Sequence, residues 1–128
     1  MYLVIEYAFV GALVFDNPVL QPMFRDSLET FDFNPYVFLY DVALWTIDAA
    51  AEPTSESRDQ LTSVLAYMEE GMASRDFGLW NLVAAGFLHG MPSKGKRGSE
   101  LHDLVGPLCR AQLERSGYLD VWPDNSSV

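Results

Sequence analysis

The only cysteine of the chain, Cys109, and its two histidines, His89 and His102, are the first candidates for catalysis or metal binding. A thiol nucleophile needs a base within hydrogen-bonding reach. His102 is about 10 Å from Cys109 along a continuous helix, and Gly106-Pro107 lies between them, so we expect no catalytic dyad. The histidines lack the spacing of a zinc motif. We therefore expect no metal site, a buried Cys109, and structural or surface roles for both histidines.

Carboxylates outnumber the basic groups, with 18 Asp and Glu against eight Lys and Arg and a net charge of −10. Asp41 and Asp48 share a helix face but lie about 10 Å apart along the axis, which is too far for joint acid–base catalysis on a small group. Glu69 and Glu70 are adjacent, about 100° apart around a helix, and indicate an exposed face. The glycines form neither a phosphate-binding loop nor a dinucleotide fingerprint. We therefore expect no cofactor and no enzymatic activity.

The negative charge is concentrated in the first half of the chain. Residues 1–59 carry ten acids against Arg25 and Arg58, whereas residues 94–128 carry five charges of each sign. Such a chain repels nucleic-acid phosphates, so we expect no nucleic-acid partner. Three basic residues are clustered in the segment SKGKRGS, which we expect to be a flexible loop: Lys94, Lys96 and Arg97.

Apolar residues recur at helical spacing along the whole chain, and no alternating strand pattern exceeds four residues. The pattern predicts an all-α domain of five to seven helices over residues 1–119, either a bundle or a HEAT-like stack of helix pairs. A polar, flexible tail is predicted at 120–128. Breaks at proline and glycine divide the predicted helices, which cover residues 1–16, 18–31, 36–52, 54–74, 79–92, 99–105 and 107–115. We expect Asp76 to cap the helix at 79–92, and Ser57 with Gln60 to form a capping box in the helix at 54–74. In the last helix, Leu108 and Leu113 are expected to face inward.

Two segments are apolar enough to raise the question of a membrane. The segment LWNLVAAGFLHGMP (79–92) and the clean apolar run 7–15 are both shorter than the ~20 residues that a membrane span needs. We predict that both are core helices, with an interfacial membrane helix as the alternative for the first segment of the chain. Within 79–92 we expect Asn81 to be buried and hydrogen-bonded, and Gly86 to permit close helix packing. The lone cysteine suits a reducing compartment, so we expect a cytoplasmic protein without a membrane partner.

The third predicted helix carries a candidate contact surface. Steps of about 100° per residue place three carboxylates within about 40° of arc, with an indole beside them. We call this set the acidic stripe; it consists of Asp41, Trp45, Asp48 and Glu52. Its charges suit steering of a cationic protein partner, and its indole suits an anchor. The alternative is a solvated helix face with Trp45 at the edge of the core.

Three stretches carry a resemblance to a known group of proteins: PYVFLYDVALW at 35–45, LxxVLxYMEEGM at 61–72, and LWNLVAAGFLHGMP at 79–92 followed by LVGPL at 104–108. Their order resembles small, all-helical bacterial proteins in which an N-L-I-A-V-x-F-L-E helix follows an E-x-G helix end. The resemblance covers about residues 18–115 and departs at His89, where those proteins have an acid. Some members of this group resemble immunity proteins encoded beside polymorphic toxins.

The resemblance and the charge together predict a non-catalytic immunity or inhibitor protein that neutralises a basic toxin domain. The alternative is a structural or adaptor protein that acts through its apolar N-terminal helix, for instance as a homodimer.

Overall fold

The computed structural model describes residues 4–29 and 33–116, and in these ranges it contains helices and no strand. The all-α prediction is confirmed. The predicted tail at 120–128 lies outside the described residues. The helices are α1 (Val4–Asp16), α2 (Gln21–Leu28), α3 (Pro35–Ala51), α4 (Ser55–Met72), α5 (Phe77–Asn81), α6 (Leu101–Leu104) and α7 (Pro107–Ser116), with a 3₁₀ turn (Pro18–Leu20) before α2.

The starts of the helices follow from local side-chain caps. The Asn34 side chain accepts a hydrogen bond from the backbone N–H of Tyr36 at 2.9 Å, in front of α3. The Asp76 carboxylate accepts one from the N–H of Leu79 at 3.0 Å, which confirms the predicted cap of α5. The capping box of α4 was predicted one turn too late. It joins Thr54 and Ser57 reciprocally, because α4 begins directly after the turn that contains Pro53.

The predicted core helix is the centre of the fold, although it is not a regular α-helix. After α5 the chain continues as a π-helix (Leu82–Phe87) and a 3₁₀ turn (Leu88–Gly90). We call residues 77–90 the central segment. It packs mainly against α3. The side chains of Leu82, Val83, Phe87 and Leu88 are fully buried.

Close packing of the central segment on α3 depends on Gly86. A Cβ atom at this position would lie 3.2 Å from the carbonyl oxygen of Tyr36 and 3.3 Å from the Cβ of Leu39. These neighbours belong to the backbone and the base of a side chain in α3, so they cannot turn away. The predicted role of Gly86 is confirmed.

A polar network ties the central segment to two other helices. The Asn81 side-chain amide, which is partly buried, donates a hydrogen bond to the hydroxyl of Tyr36 at 3.0 Å. That hydroxyl donates to the Glu6 carboxylate at 3.4 Å, and Glu6 is buried in α1. The amide of Asn81 therefore has the partner that its position requires.

The C-terminal elements differ in detail from the prediction. Helix α6 is a single turn that begins at Leu101, not at residue 99. In α7, Leu113 is buried as predicted, but Leu108 is 43% exposed. The two residues are five apart, about 140° around a helix, so they cannot share the core face. Cys109 occupies that face and is buried as predicted.

Across the described part of the chain, no helix combines the length and the apolar character needed to cross a bilayer.

Candidate functional site

The structure joins the end of the acidic stripe to the basic loop. The Arg97 guanidinium contacts the Asp48 carboxylate at 2.5 Å and the Glu52 carboxylate at 3.0 Å. These contacts, Asp48 first, raise the pKa of Arg97 above its usual value. All three side chains are mostly exposed, so the pairs are open to solvent and to competing ions. Half of the predicted stripe therefore already holds a cation from its own chain.

Two glycines place Arg97 against α3. Gly95 and Gly98 have φ angles of 82° and 83°, in the left-handed region that favours glycine. Gly98 also lies against Ile47 of α3, where an added Cβ would approach the Ile47 Cγ2 atom to 2.7 Å. The loop can therefore pack against α3 in the conformation that places Arg97 beside Asp48 and Glu52. The S-K-G-K-R-G-S sequence indicated a flexible basic loop, but nothing local to it indicated this partner.

The other carboxylate of the stripe, Asp41, belongs to a different surface. It lines a shallow groove between α2 and α3 together with Asp26, Pro22 and Met23. The wall of this groove also includes Val19, from the 3₁₀ turn. Asp41 is partly buried and Asp26 is exposed, and neither makes an ion pair with a described residue.

A second acidic groove lies on the other side of Val19. It is lined by Asp16 at the end of α1 and by Glu56 and Asp59 in the first turns of α4. Val19 lines both grooves, so the two adjoin, and no Lys or Arg is among the described residues that line them. We call them the acidic grooves; their carboxylates are those of Asp16, Asp26, Asp41, Glu56 and Asp59.

One carboxylate of this surface is oriented by a tyrosine. The Tyr67 hydroxyl donates a hydrogen bond to Asp16. This bond, with smaller contributions from burial and from the negative charges of Asp16 and Glu70, raises the pKa of Tyr67 to about 12. Asp16 is therefore held between α1 and α4 at the edge of the acidic grooves.

Trp45 lies at the edge of the core. It is partly buried and packs against the buried residues of the helical core. Trp45 follows Asp41 by one helical turn, so the two residues are neighbours on one face of α3. Both interpretations made from the sequence, an anchor and a core-edge residue, are compatible with this position.

Glu69 has a structural role that the sequence did not indicate. Its two carboxylate oxygens accept hydrogen bonds from the backbone N–H groups of Leu108 at 2.8 Å and Cys109 at 3.1 Å. The predicted exposed face is correct for Glu70 and wrong for Glu69, which is partly buried at the start of α7. Burial, and then the charge of Glu69, raise the pKa of the Cys109 thiol well above its usual value. A thiol that is buried and protonated is a poor nucleophile.

His102 is likewise structural. Its ring Nε2 lies 2.7 Å from the carbonyl oxygen of Pro92, so the Nε2–H donates to that oxygen. The contact ties α6 to the connection that follows the central segment. Among the described residues, no three His, Cys, Asp or Glu side chains are arranged so that they could hold a metal ion.

A third concavity is an apolar groove of about 520 Å³ between the end of α3, one face of α4 and the α6–α7 connection. Its polar lining groups are those of Arg58, Thr62 and Glu69. The groove combines residues from three separate elements, which explains why no single motif indicated it. Its main apolar lining residues are Ala49, Ala50, Leu61, Leu65, Ala66 and Leu104.

Comparison of the chain with protein-family models, with curated proteins and with solved structures finds no match.

Proposed function

We propose that this protein is a non-catalytic inhibitor of the immunity type, which binds and neutralises a cationic protein domain. The observation that carries the proposal is the pair of acidic grooves. Acidic residues from four helices line these grooves, and no Lys or Arg is among the described lining residues. A concave surface of one charge sign focuses its field, attracts an oppositely charged partner and orients it.

The acidic grooves suit a cationic partner better than the end of the stripe does. A partner that binds at Asp48 or Glu52 must first displace the guanidinium of Arg97. Asp41 faces no such competitor among the described residues. Because Trp45 follows Asp41 by one helical turn, a partner seated over Asp41 can also cover the accessible part of the indole. Steering by the carboxylates and anchoring by Trp45 then act on one partner.

Neutralisation on this surface requires no chemistry from the protein itself. A nuclease or another enzyme that binds an anionic substrate needs a cationic surface of its own. An inhibitor that covers this surface blocks the substrate by occupancy. Charge complementarity raises the association rate, and a small number of buried anchors determines how slowly the complex dissociates.

The reading frame next to this gene supplies the partner to be tested. If it encodes a larger protein with a variable C-terminal domain, that domain is expressed with and without the present protein, and growth is measured. The proposal predicts that the protein restores growth and forms a stable complex with the domain. A domain that is toxic in both cases and shows no binding would contradict the proposal.

A charge-matched pair of variants then locates the surface. The groove variant combines Asp26→Lys, Asp41→Lys and Glu56→Lys, and the control combines Glu70→Lys, Glu100→Lys and Glu114→Lys, all at exposed or partly exposed positions. Both change the net charge equally. We expect the groove variant to associate at least tenfold more slowly and with a weaker salt dependence than the control. Equal association rates would exclude the acidic grooves as the contact surface.

A second candidate function, homodimerisation through α1, has its own supporting observation. The side chains of Val4 and Phe15 are 83% and 80% exposed, and Ala8, Gly11 and Ala12 lie on the same face between them. An uncharged face of this kind is typical of a surface that another protein covers. A dimer would sediment at about twice 14.4 kDa. In that case Phe15→Glu should yield monomers, while Val37→Glu, at an exposed apolar position of α3, should not.

A further inference from the structure

We propose that the apolar groove between α3, α4 and the α6–α7 connection binds an amphiphilic carboxylate, a small molecule with one anionic head group and an aliphatic tail. This site is separate from the acidic grooves, which lie on another side of α4, and the inference does not depend on the proposed function. The volume of about 520 Å³ is within the range of small-molecule sites, ~300–1,000 Å³.

The shape of the groove suits an elongated tail. Its α4 wall is a single helical stripe at positions 58, 61, 62, 65, 66 and 69, so the groove extends about 16 Å along the helix. Leu61 and Leu65, which line the groove, are buried, whereas Ala66, with its small side chain, is exposed at the wall. Leu104 of α6 also lines the groove and is 52% exposed, although it is large and apolar. An aliphatic tail in the groove would remove this surface from water.

The charge at one end of the groove selects the head group. Arg58 is the only basic residue in the described lining, and its guanidinium makes no ion pair with a described residue. A guanidinium can donate two parallel hydrogen bonds to one carboxylate. The nearest acids in sequence, Glu56 and Asp59, line the acidic groove instead and leave Arg58 unneutralised.

The opposite end of the groove cannot serve a cationic head group equally well. The Glu69 carboxylate at that end accepts the backbone N–H groups of Leu108 and Cys109, so its oxygens are already engaged. The head group is therefore expected at Arg58 and the tail along Leu61 and Leu65 toward Leu104. The net charge of −10 opposes any anion at long range, but charges farther away than the screening length of about 8 Å at physiological salt contribute little to this repulsion.

The test uses decanoate, decanol and decyltrimethylammonium as probes, each below its micelle-forming concentration. Binding to the full chain is followed by calorimetry and by backbone NMR shifts. We expect decanoate to bind at least fivefold more tightly than decanol, decyltrimethylammonium to bind most weakly, and the shifts to map to the groove. Arg58→Gln should reduce decanoate binding to the level of decanol and leave decanol unchanged. Arg75→Gln, at an exposed arginine outside the groove, is the matched control and should change neither.

A second variant tests the groove itself without touching the charge. Ala66 is exposed at the groove wall, so Ala66→Trp should fill the groove while the helical circular dichroism is retained. It should reduce binding of decanoate and decanol at least tenfold. The proposal is overturned if folded Ala66→Trp binds decanoate like the wild type, or if Arg58→Gln has no effect. The proposal is also overturned if none of the probes binds. In that case the groove would be a surface that a second copy or another protein covers.

Discussion

The Glu69 carboxylate accepts a hydrogen bond at 2.8 Å from the backbone N–H of Leu108, a residue 39 positions later in the chain. The first N–H groups of a helix have no partner within the helix, and together they carry a partial positive charge. Glu69 satisfies two of these groups at the start of α7, because it also accepts from the N–H of Cys109. One side chain of α4 therefore fixes where α7 begins.

We predict that Glu69→Ala destabilises the protein by about 1–2 kcal/mol, the usual cost of losing a helix cap. The matched control is Glu70→Ala, because Glu70 is exposed and adjacent on the same helix. Urea unfolding, followed by circular dichroism, measures both. Equal losses of stability in the two variants would show that the cap contributes nothing specific.

The polar network in the core predicts a difference between two tyrosines of α3. Tyr36→Phe removes the hydroxyl that accepts from Asn81 and donates to Glu6, so two partly or fully buried polar groups lose a partner. The expected loss of stability is about 1–3 kcal/mol. Tyr40→Phe, at an exposed position, should cost much less. Thermal unfolding of both variants checks this, and a Tyr36→Phe variant as stable as Tyr40→Phe would contradict the network.

Two glycine substitutions should have opposite effects on stability. At Gly11, in the interior of α1, an added Cβ meets no atom within 4 Å, so Gly11→Ala should stabilise the protein by about 0.5–1 kcal/mol through helix propensity. At Gly86, in the π-helix, the added Cβ presses on the backbone of Tyr36 and on Leu39, so Gly86→Ala should be destabilising. The denaturant midpoints of the two variants are compared with that of the wild type. The midpoint should rise for Gly11→Ala and fall for Gly86→Ala.

The pair formed by Tyr67 and Asp16 predicts an alkaline pH dependence. The pKa of Tyr67 is raised from 10.0 to about 12 in the folded protein, mainly by the hydrogen bond to Asp16. Because the folded pKa lies above the unfolded one, the pair's contribution to stability is complete below pH 10 and is lost as the pH rises from 10 to 12.

The absorbance of tyrosinate gives the measurement. The difference between the titration curves of the wild type and of Tyr67→Phe should show a midpoint near pH 12, and Asp16→Asn should move this midpoint toward 10. If the midpoint stays near pH 12 in Asp16→Asn, the hydrogen bond to Asp16 is not the cause of the raised pKa of Tyr67.

The sequence by itself determined the features that depend on neighbouring residues. Helical spacing, with breaks such as Asn17-Pro18 and Gly106-Pro107, was sufficient for the all-α fold and for most helix ends. The cap at Asp76 and the buried central segment also followed, because a cap acts within one turn and an apolar segment of this length has no other place in a small domain. The capping box at Thr54 was missed because Ser57 and Gln60 match the usual Ser/Thr-x-x-Glu/Gln pattern, whereas the box in the structure pairs Thr54 with a serine.

Only the tertiary structure decided which distant charges meet. Asp41 and Asp48 lie on one helix face, yet Asp41 lines a groove with Asp26 of α2 and Asp48 contacts Arg97, 49 residues later. Helix periodicity gives the direction of a side chain from its own axis but not the element packed there. The grouping of carboxylates in the acidic grooves, the engagement of Glu69 and the apolar groove all arise where separate helices adjoin, so they depend on how the core packs.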